Sequence, residues 1–185
     1  NYKYFKKITK PSIVAATIKA NAYGIGDKMV YESLYKNGCR DFFVATTNEG
    51  YSLRNKFNKG NIYILNGLEN NSILFFKKNK LTPIINSKNE LKYVNKNNFS
   101  FGIHIDTGLN RLGINIEDIN KDMCNNKNLS IVISHLASAD EFNNNFNFLQ
   151  KKRFKNYIKL FENKKVAFSI SNSMGALFNK NFHFN

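Results

Sequence analysis

Seven short apolar runs recur along the chain, and most are continuous rather than alternating: IVAATI at 13–18, DFFVATT at 41–47, NIYILNG at 61–67, TPIIN at 82–86, SFGIHID at 100–106, LSIVISH at 129–135 and VAFSIS at 166–171. An unbroken β-prone run of this length suits a strand covered on both faces. The stretches between them carry helical periodicity. Residues 28–37 place Met29, Val30 and Leu34 on one face, and residues 89–96 do the same with Leu91 and Val94. Gly38 and Gly60 are expected to stop helices. The runs begin about 20 to 37 residues apart, the length of a βα unit, which predicts an α/β fold with parallel strands. Two architectures satisfy that pattern, an open doubly wound sheet and a β/α barrel, and a full barrel needs eight strands in about 250 residues. Seven runs in 185 residues fall one short, so the chain is expected to be a piece lacking at least its last βα unit. No linker, repeat or low-complexity block marks a boundary, which makes residues 1–185 one domain; NNNFN at 143–147 reads as a polar loop.

The formal charge is +15, from 28 Lys and Arg against 13 Asp and Glu, a balance that raises the question of a polyanion partner. Only Arg40, Arg54, Arg111 and Arg153 are arginines, so the planar fork preferred for phosphate and base recognition is scarce and the lysines are spread along the whole chain. The excess reads as lysine-rich solvated surface, and no nucleic-acid partner is expected. Cys39 and Cys124 are too far apart to suggest a zinc or redox pair, and three separated histidines form no ligand cluster, so no metal is expected. Lys3, Lys6, Lys7 and Lys10 ahead of SIVAATI, with Ala20-Asn21-Ala22 beyond it, imitate a signal peptide. Pro11, Thr17 and Lys19 interrupt the imitation, and no run is long enough to span a membrane. The expected location is the cytoplasm.

The distinctive polar residues fall at the C-terminal ends of the proposed strands. Lys19 ends the first, Asp106 and Arg111 follow the fifth, His135 ends the sixth, and Asn172 and Ser173 follow the seventh. In a barrel that end is the catalytic face. Lys19 follows small and apolar residues, a setting that would desolvate its amine for nucleophilic use; a lysine snorkelling to solvent is the plainer alternative. Tyr23-Gly24-Ile25-Gly26 offers a hydroxyl and glycines where backbone N–H groups can meet an anion. Met29 stands where a dinucleotide fingerprint needs a third glycine. Ser171-Asn172-Ser173-Met174-Gly175 offers similar groups, although Ser and Asn before a helix are first of all caps. Asp106 through Gly113 could form a rigid loop presenting Arg111, or a surface turn. His135 could be a general base, a ring stacked on a cofactor, or a satisfied core histidine.

Taken together, Ile18-Lys19-Ala20-Asn21-Ala22-Tyr23-Gly24-Ile25-Gly26, Asp106-Thr107-Gly108 through Arg111-Leu112-Gly113, His135-Leu136-Ala137-Ser138-Ala139-Asp140 and Asn172-Ser173 resemble, in order and spacing, the motifs of alanine racemases. The resemblance implies the (β/α)8 TIM-type barrel, here incomplete at about seven of eight βα units, with the C-terminal β-domain of the family absent. It implies pyridoxal 5'-phosphate as cofactor. Lys19 would carry it and act as the base for the D-isomer, Tyr23 and Ser173 would donate hydroxyls to its phosphate, and Arg111 would bond its phenolic oxygen. His135 would pack near its ring, with Asn172 close by. The implied reaction interconverts L-alanine and D-alanine, supplying D-alanine for peptidoglycan, in a full-length homodimer.

Departures from the pattern are specific. The family's second base is a tyrosine of the β-domain, outside these residues, so this chain alone is expected to be inactive. His104 stands where many members have a lysine, and Gly-Ile-Gly replaces Gly-His-Gly. Substrate choice leaves a serine or broader-range racemase open, and a single-domain pyridoxal phosphate carrier is an alternative of a different class.

Overall fold

The computed structural model describes residues 1–119, 124–161 and 165–184. A seven-strand parallel sheet runs in sequence order: β1 (Ala16–Thr17), β2 (Asp41–Val44), β3 (Asn61–Ile64), β4 (Leu81–Ile85), β5 (Phe101–Asp106), β7 (Leu129–Ile133) and β8 (Ala167–Ser169). A two-residue strand, β6 (Ile114–Asn115), adds beside β5 off this path. Helices α1 (Tyr2–Ile8), α2 (Asp27–Lys36), α3 (Thr47–Lys56), α4 (Ile73–Lys78), α5 (Lys88–Asn95), α6 (Asn145–Ile158) and α7 (Ser173–Phe178) lie before, between and after the strands. Every ladder is parallel and each strand pairs with the next in the path, which is barrel progression rather than the reversal of a doubly wound sheet. Among the described residues β1 and β8 do not pair, so the barrel is incomplete, as expected.

Alternation along the strands separates two apolar layers. Phe42, Val44, Ile62, Ile64, Ile85, Phe101, Ile103 and Ile105 face the helices in the larger core, whereas Phe43, Tyr63, Ile84, Ile131 and Ile133 fill the barrel interior. Gly102 keeps that interior closed. A Cβ there would come within 2.5 Å of Ile84 Cδ1 and 2.7 Å of Ile131 Cγ2.

Helices expected at 28–37 and 89–96 form one residue earlier, at Asp27–Lys36 and Lys88–Asn95. Gly38, with φ at +95°, follows the first of them in the left-handed conformation a helix stop requires. Gly60 does not stop a helix: α3 ends at Lys56, and Gly60 turns the chain into β3. The Asn-rich stretch at 143–147 is only partly loop. Asn144 caps α6 by accepting the Phe146 N–H at 2.9 Å, and helix begins at Asn145. The first predicted strand shrinks to Ala16–Thr17, because the chain beyond Ile18 winds the other way.

Candidate functional site

Residues Lys19–Tyr23 form a left-handed turn in which Ala20, Asn21, Ala22 and Tyr23 have φ of 50°, 54°, 52° and 56°. That conformation costs roughly 1–2 kcal/mol per residue for side chains with a Cβ, so it persists only where neighbours enforce it. Ala22 N–H donates to Ile18 O at 3.0 Å, Gly26 N–H to Asn21 O at 3.0 Å, and Asp27 N–H to the Asn21 side chain at 2.9 Å. Ile18 and Ala22 are buried against the core. Lys19 lies just beyond the C-terminal end of β1, two residues after Thr17, which pairs with Phe43. Its side chain is half-buried, not enclosed as a fully desolvated amine would be.

The loop after β5 is built around Asp106. Its carboxylate accepts the N–H groups of Gly108 and Leu109 at 2.8 Å each and of Asn110 at 3.0 Å. Gly113, with φ at +116°, lets the returning chain pass so close to β5 that a Cβ would lie 2.8 Å from Asp106 N. The loop is thus closed by its own hydrogen bonds, as in the first of the two alternatives, and Arg111 is exposed on it. The chain after β7 is tied to this loop by α6. Gln150, fully buried, donates to His135 O at 2.9 Å and Thr107 Oγ1 at 3.2 Å and accepts the Ala137 N–H at 2.9 Å. Thr107 and Ser134 hydroxyls meet at 2.8 Å, and Arg153 donates to Thr107 O at 2.8 Å. Buried Asn147 donates to Ser138 O and Glu141 O.

Lys19, Arg111 and His135 come together electrostatically. Burial depresses the proton affinity of His135, and the charges of Arg111 and Lys19 depress it further. His104, 5% exposed and paired in register with Ile133, shares this neighbourhood. Burial first, then His135, push its pKa down to about 4, with Asp106 opposing and Arg111 adding a smaller push in the same direction. Its Nε2 is buried without a hydrogen-bond partner. Asn172 and Ser173 stand on the neighbouring turn. Asn172 caps α7 by accepting the Gly175 N–H at 2.9 Å, and a Cβ at Gly175 would lie 2.9 Å from Leu136 Cδ1, beside His135. Ser173 is exposed in the first turn of α7. Tyr23 is not drawn in: it is 63% exposed, and its hydroxyl has no hydrogen bond among the described residues.

Sequence reasoning missed the residues that hold this arrangement. Glu49 carried a signal, since Thr46-x-x-Glu49 is a capping-box spacing, but its bond to Ala20 was not foreseeable from it. Gln150, Asn147 and Arg153 carried none, because their partners lie on other loops.

The model of the alanine racemase N-terminal domain matches residues 1–185. An alanine racemase of Rickettsia prowazekii is 35% identical over 196 aligned residues, covering 100% of this chain and 48% of the relative. That of Rickettsia bellii is 37% identical, covering 95% of this chain and 45% of its own. The chain thus spans about half the length of these curated relatives. Among solved structures, alanine racemase from Bartonella henselae with covalently bound pyridoxal phosphate superposes with a TM-score of 0.90 at 26% identity, over 99% of this chain and 56% of that one. Alanine racemase from Corynebacterium glutamicum, at 20% identity and a TM-score of 0.88, shares the fold.

Proposed function

The chain belongs to the alanine racemase N-terminal domain family, and we propose that it is the cofactor-binding half of an amino-acid racemase that interconverts L-alanine and D-alanine. The observation that carries this reading is that Lys19, Arg111 and His135 follow three separate parallel strands at their C-terminal ends, with buried Gln150 bonding both Thr107 of the Arg111 loop and the His135 carbonyl.

The residues fit pyridoxal 5'-phosphate. The mouth carries two cations, Lys19 and Arg111, while the carboxylates of Asp106 and Glu49 accept backbone N–H groups of the surrounding loops. A positive mouth favours an anionic cofactor and an amino-acid carboxylate. Gly24 and Gly26, with φ of +87° and +111°, open the chain beyond Tyr23, and Ser173 offers a second hydroxyl. When bound, pyridoxal phosphate supplies an aldehyde that condenses with amines and a ring that acidifies the hydrogen on the substrate's α-carbon.

In this reading Lys19 carries the cofactor, and its freed Nζ takes or returns the α-proton on its own side. His135, kept neutral by burial and two neighbouring cations, presents an uncharged ring against which an aromatic cofactor packs. Arg111 holds an anionic oxygen and Ser173 donates to the phosphate, with Asn172 setting the α7 turn beside it; Tyr23, exposed in this structure, would have to turn inward to add its hydroxyl. The family's substrate and its supply of D-alanine for peptidoglycan extend to the whole protein of which this chain is half, as do the homodimer and the cytoplasmic setting. Buried, unpaired Cys39 and Cys124 suit a reducing compartment.

One base serves one face. In D₂O with pyridoxal phosphate, this chain should therefore wash deuterium into D-alanine faster than into L-alanine, with little net inversion, because general acid–base assistance from the second face is worth roughly 10²–10⁴ in rate. NMR of both enantiomers reads this directly. Equal exchange of both, accompanied by inversion, would show a second base within these residues. Exchange of neither, in a chain saturated with cofactor, would overturn Lys19 as base.

A further inference from the structure

Three glutamates repeat one device at successive strand ends. After β2, Glu49 accepts the N–H groups of Ala45 at 2.7 Å and Thr46 at 3.1 Å with Oε2, and reaches back with Oε1 to the N–H of Ala20, after β1, at 2.7 Å. After β3, Glu69 accepts from the side-chain amide of Asn66 in its own loop at 3.1 Å and from the N–H of Thr47, the first residue of α3. After β4, Glu90 accepts the N–H of Asn86 at 3.1 Å and, one loop back, the N–H of Leu68 at 2.8 Å. Gly67 makes room for this last reach: a Cβ there would lie 2.3 Å from Glu90 Oε1. Each carboxylate therefore ties its own loop to the preceding βα unit, and the series ends on the residue next to Lys19.

We propose that Glu49 is a positioning residue for Lys19, while Glu69 and Glu90 make ties of the same kind further along the barrel without acting on Lys19. A carboxylate is the group the job needs. It accepts on both oxygens at once, and bonds to an ionised acceptor are the stronger kind. The turn that follows Lys19 has left-handed φ at four consecutive non-glycine residues, so it needs an external anchor, and the Ala20 N–H is the point at which a neighbouring strand supplies one. Glu49 acts through the backbone and touches neither substrate nor cofactor. The inference rests on Lys19 as the cofactor-bearing lysine, but the hydrogen-bonding part of it stands alone.

The test uses the whole chain with four substitutions, read by amide hydrogen exchange and by pyridoxal phosphate binding. Ala20 is exposed, so its amide is protected by the Glu49 bond rather than by burial. Glu49→Gln has one acceptor oxygen and an amide that opposes the other N–H, so it loses one arm of the bridge. Exchange at Ala20 should accelerate roughly 10- to 100-fold, and cofactor affinity should fall with it. Glu90→Gln, matched in its cost to a helix start, should accelerate Leu68 and leave Ala20 and the cofactor alone. Thr46→Ala removes the hydroxyl of the cap and should lower the melting temperature without changing exchange at Ala20. Glu49→Asp keeps the charge but shortens the reach, and gives the same localised acceleration if the glutamine variant folds poorly. Unchanged protection of Ala20 in both Glu49 variants, or equal acceleration in Thr46→Ala, would reduce Glu49 to a helix cap and overturn the proposal. If the unaltered chain binds no pyridoxal phosphate, the cofactor reading fails, while exchange at Ala20 still decides whether the brace exists.

Discussion

His104 occupies an interior position of β5 where its Nε2 is buried without a hydrogen-bond partner, and burial drops its pKa from 6.5 to about 4. The unfolded chain takes up a proton near pH 6.5 and the folded chain does not until about pH 4, so stability is complete above 6.5 and declines as pH falls through that window. A shift of this size corresponds to about 3 kcal/mol across the window, and His135 contributes in the same direction. Urea unfolding between pH 7 and 4 should show the decline, and His104→Gln should flatten much of it. An identical slope in the variant would assign the acid sensitivity to other groups. His104 was legible only as an odd residue at a strand position. Its burial follows from alternation along β5, but its unpartnered Nε2 follows from what the neighbouring strands place around it.

At the scale of elements, α6 decides the geometry of two loops that the sequence keeps far apart. Gln150 is fully buried and held to both by three bonds, so Gln150→Leu should cost about 2–4 kcal/mol by leaving the Ala137 N–H and the His135 carbonyl without this partner and the Thr107 hydroxyl with Ser134 alone. Thermal melting checks the magnitude. A change below about 0.5 kcal/mol would mean that the loops keep their bonds by other means. The strands were legible because continuous apolar runs are a strong signal of burial on both faces. Most site residues were legible because they sit where those runs end. The left-handed turn at Lys19–Tyr23 was not: small residues and two following glycines permit it, but the bond from Ala20 to Glu49, on another unit, helps enforce it. Asn145 and Asn147 were read as loop for a related reason. Asn144 as a cap turns the following polar residues into helix, and Asn147 is buried by the loop carbonyls it satisfies.

For the molecule as a whole, the charge of +15 and the seven-strand sheet have different consequences. The surface lysines say nothing about the fold; Lys19 and Arg111 at the strand ends supply the cations that an anionic ligand needs. Among the described residues no helix is long and apolar enough to cross a membrane, and no group of three His, Cys, Asp or Glu side chains could hold a metal ion. What remains at the mouth is an amine, a guanidinium, a neutral imidazole and hydroxyls, a set suited to pyridoxal phosphate. Borohydride reduction of the chain with pyridoxal phosphate, followed by peptide mapping, tests this most directly. The predicted result is a single stable adduct on Lys19, lost in Lys19→Ala; an adduct spread over the surface lysines, or undiminished in Lys19→Ala, would contradict it.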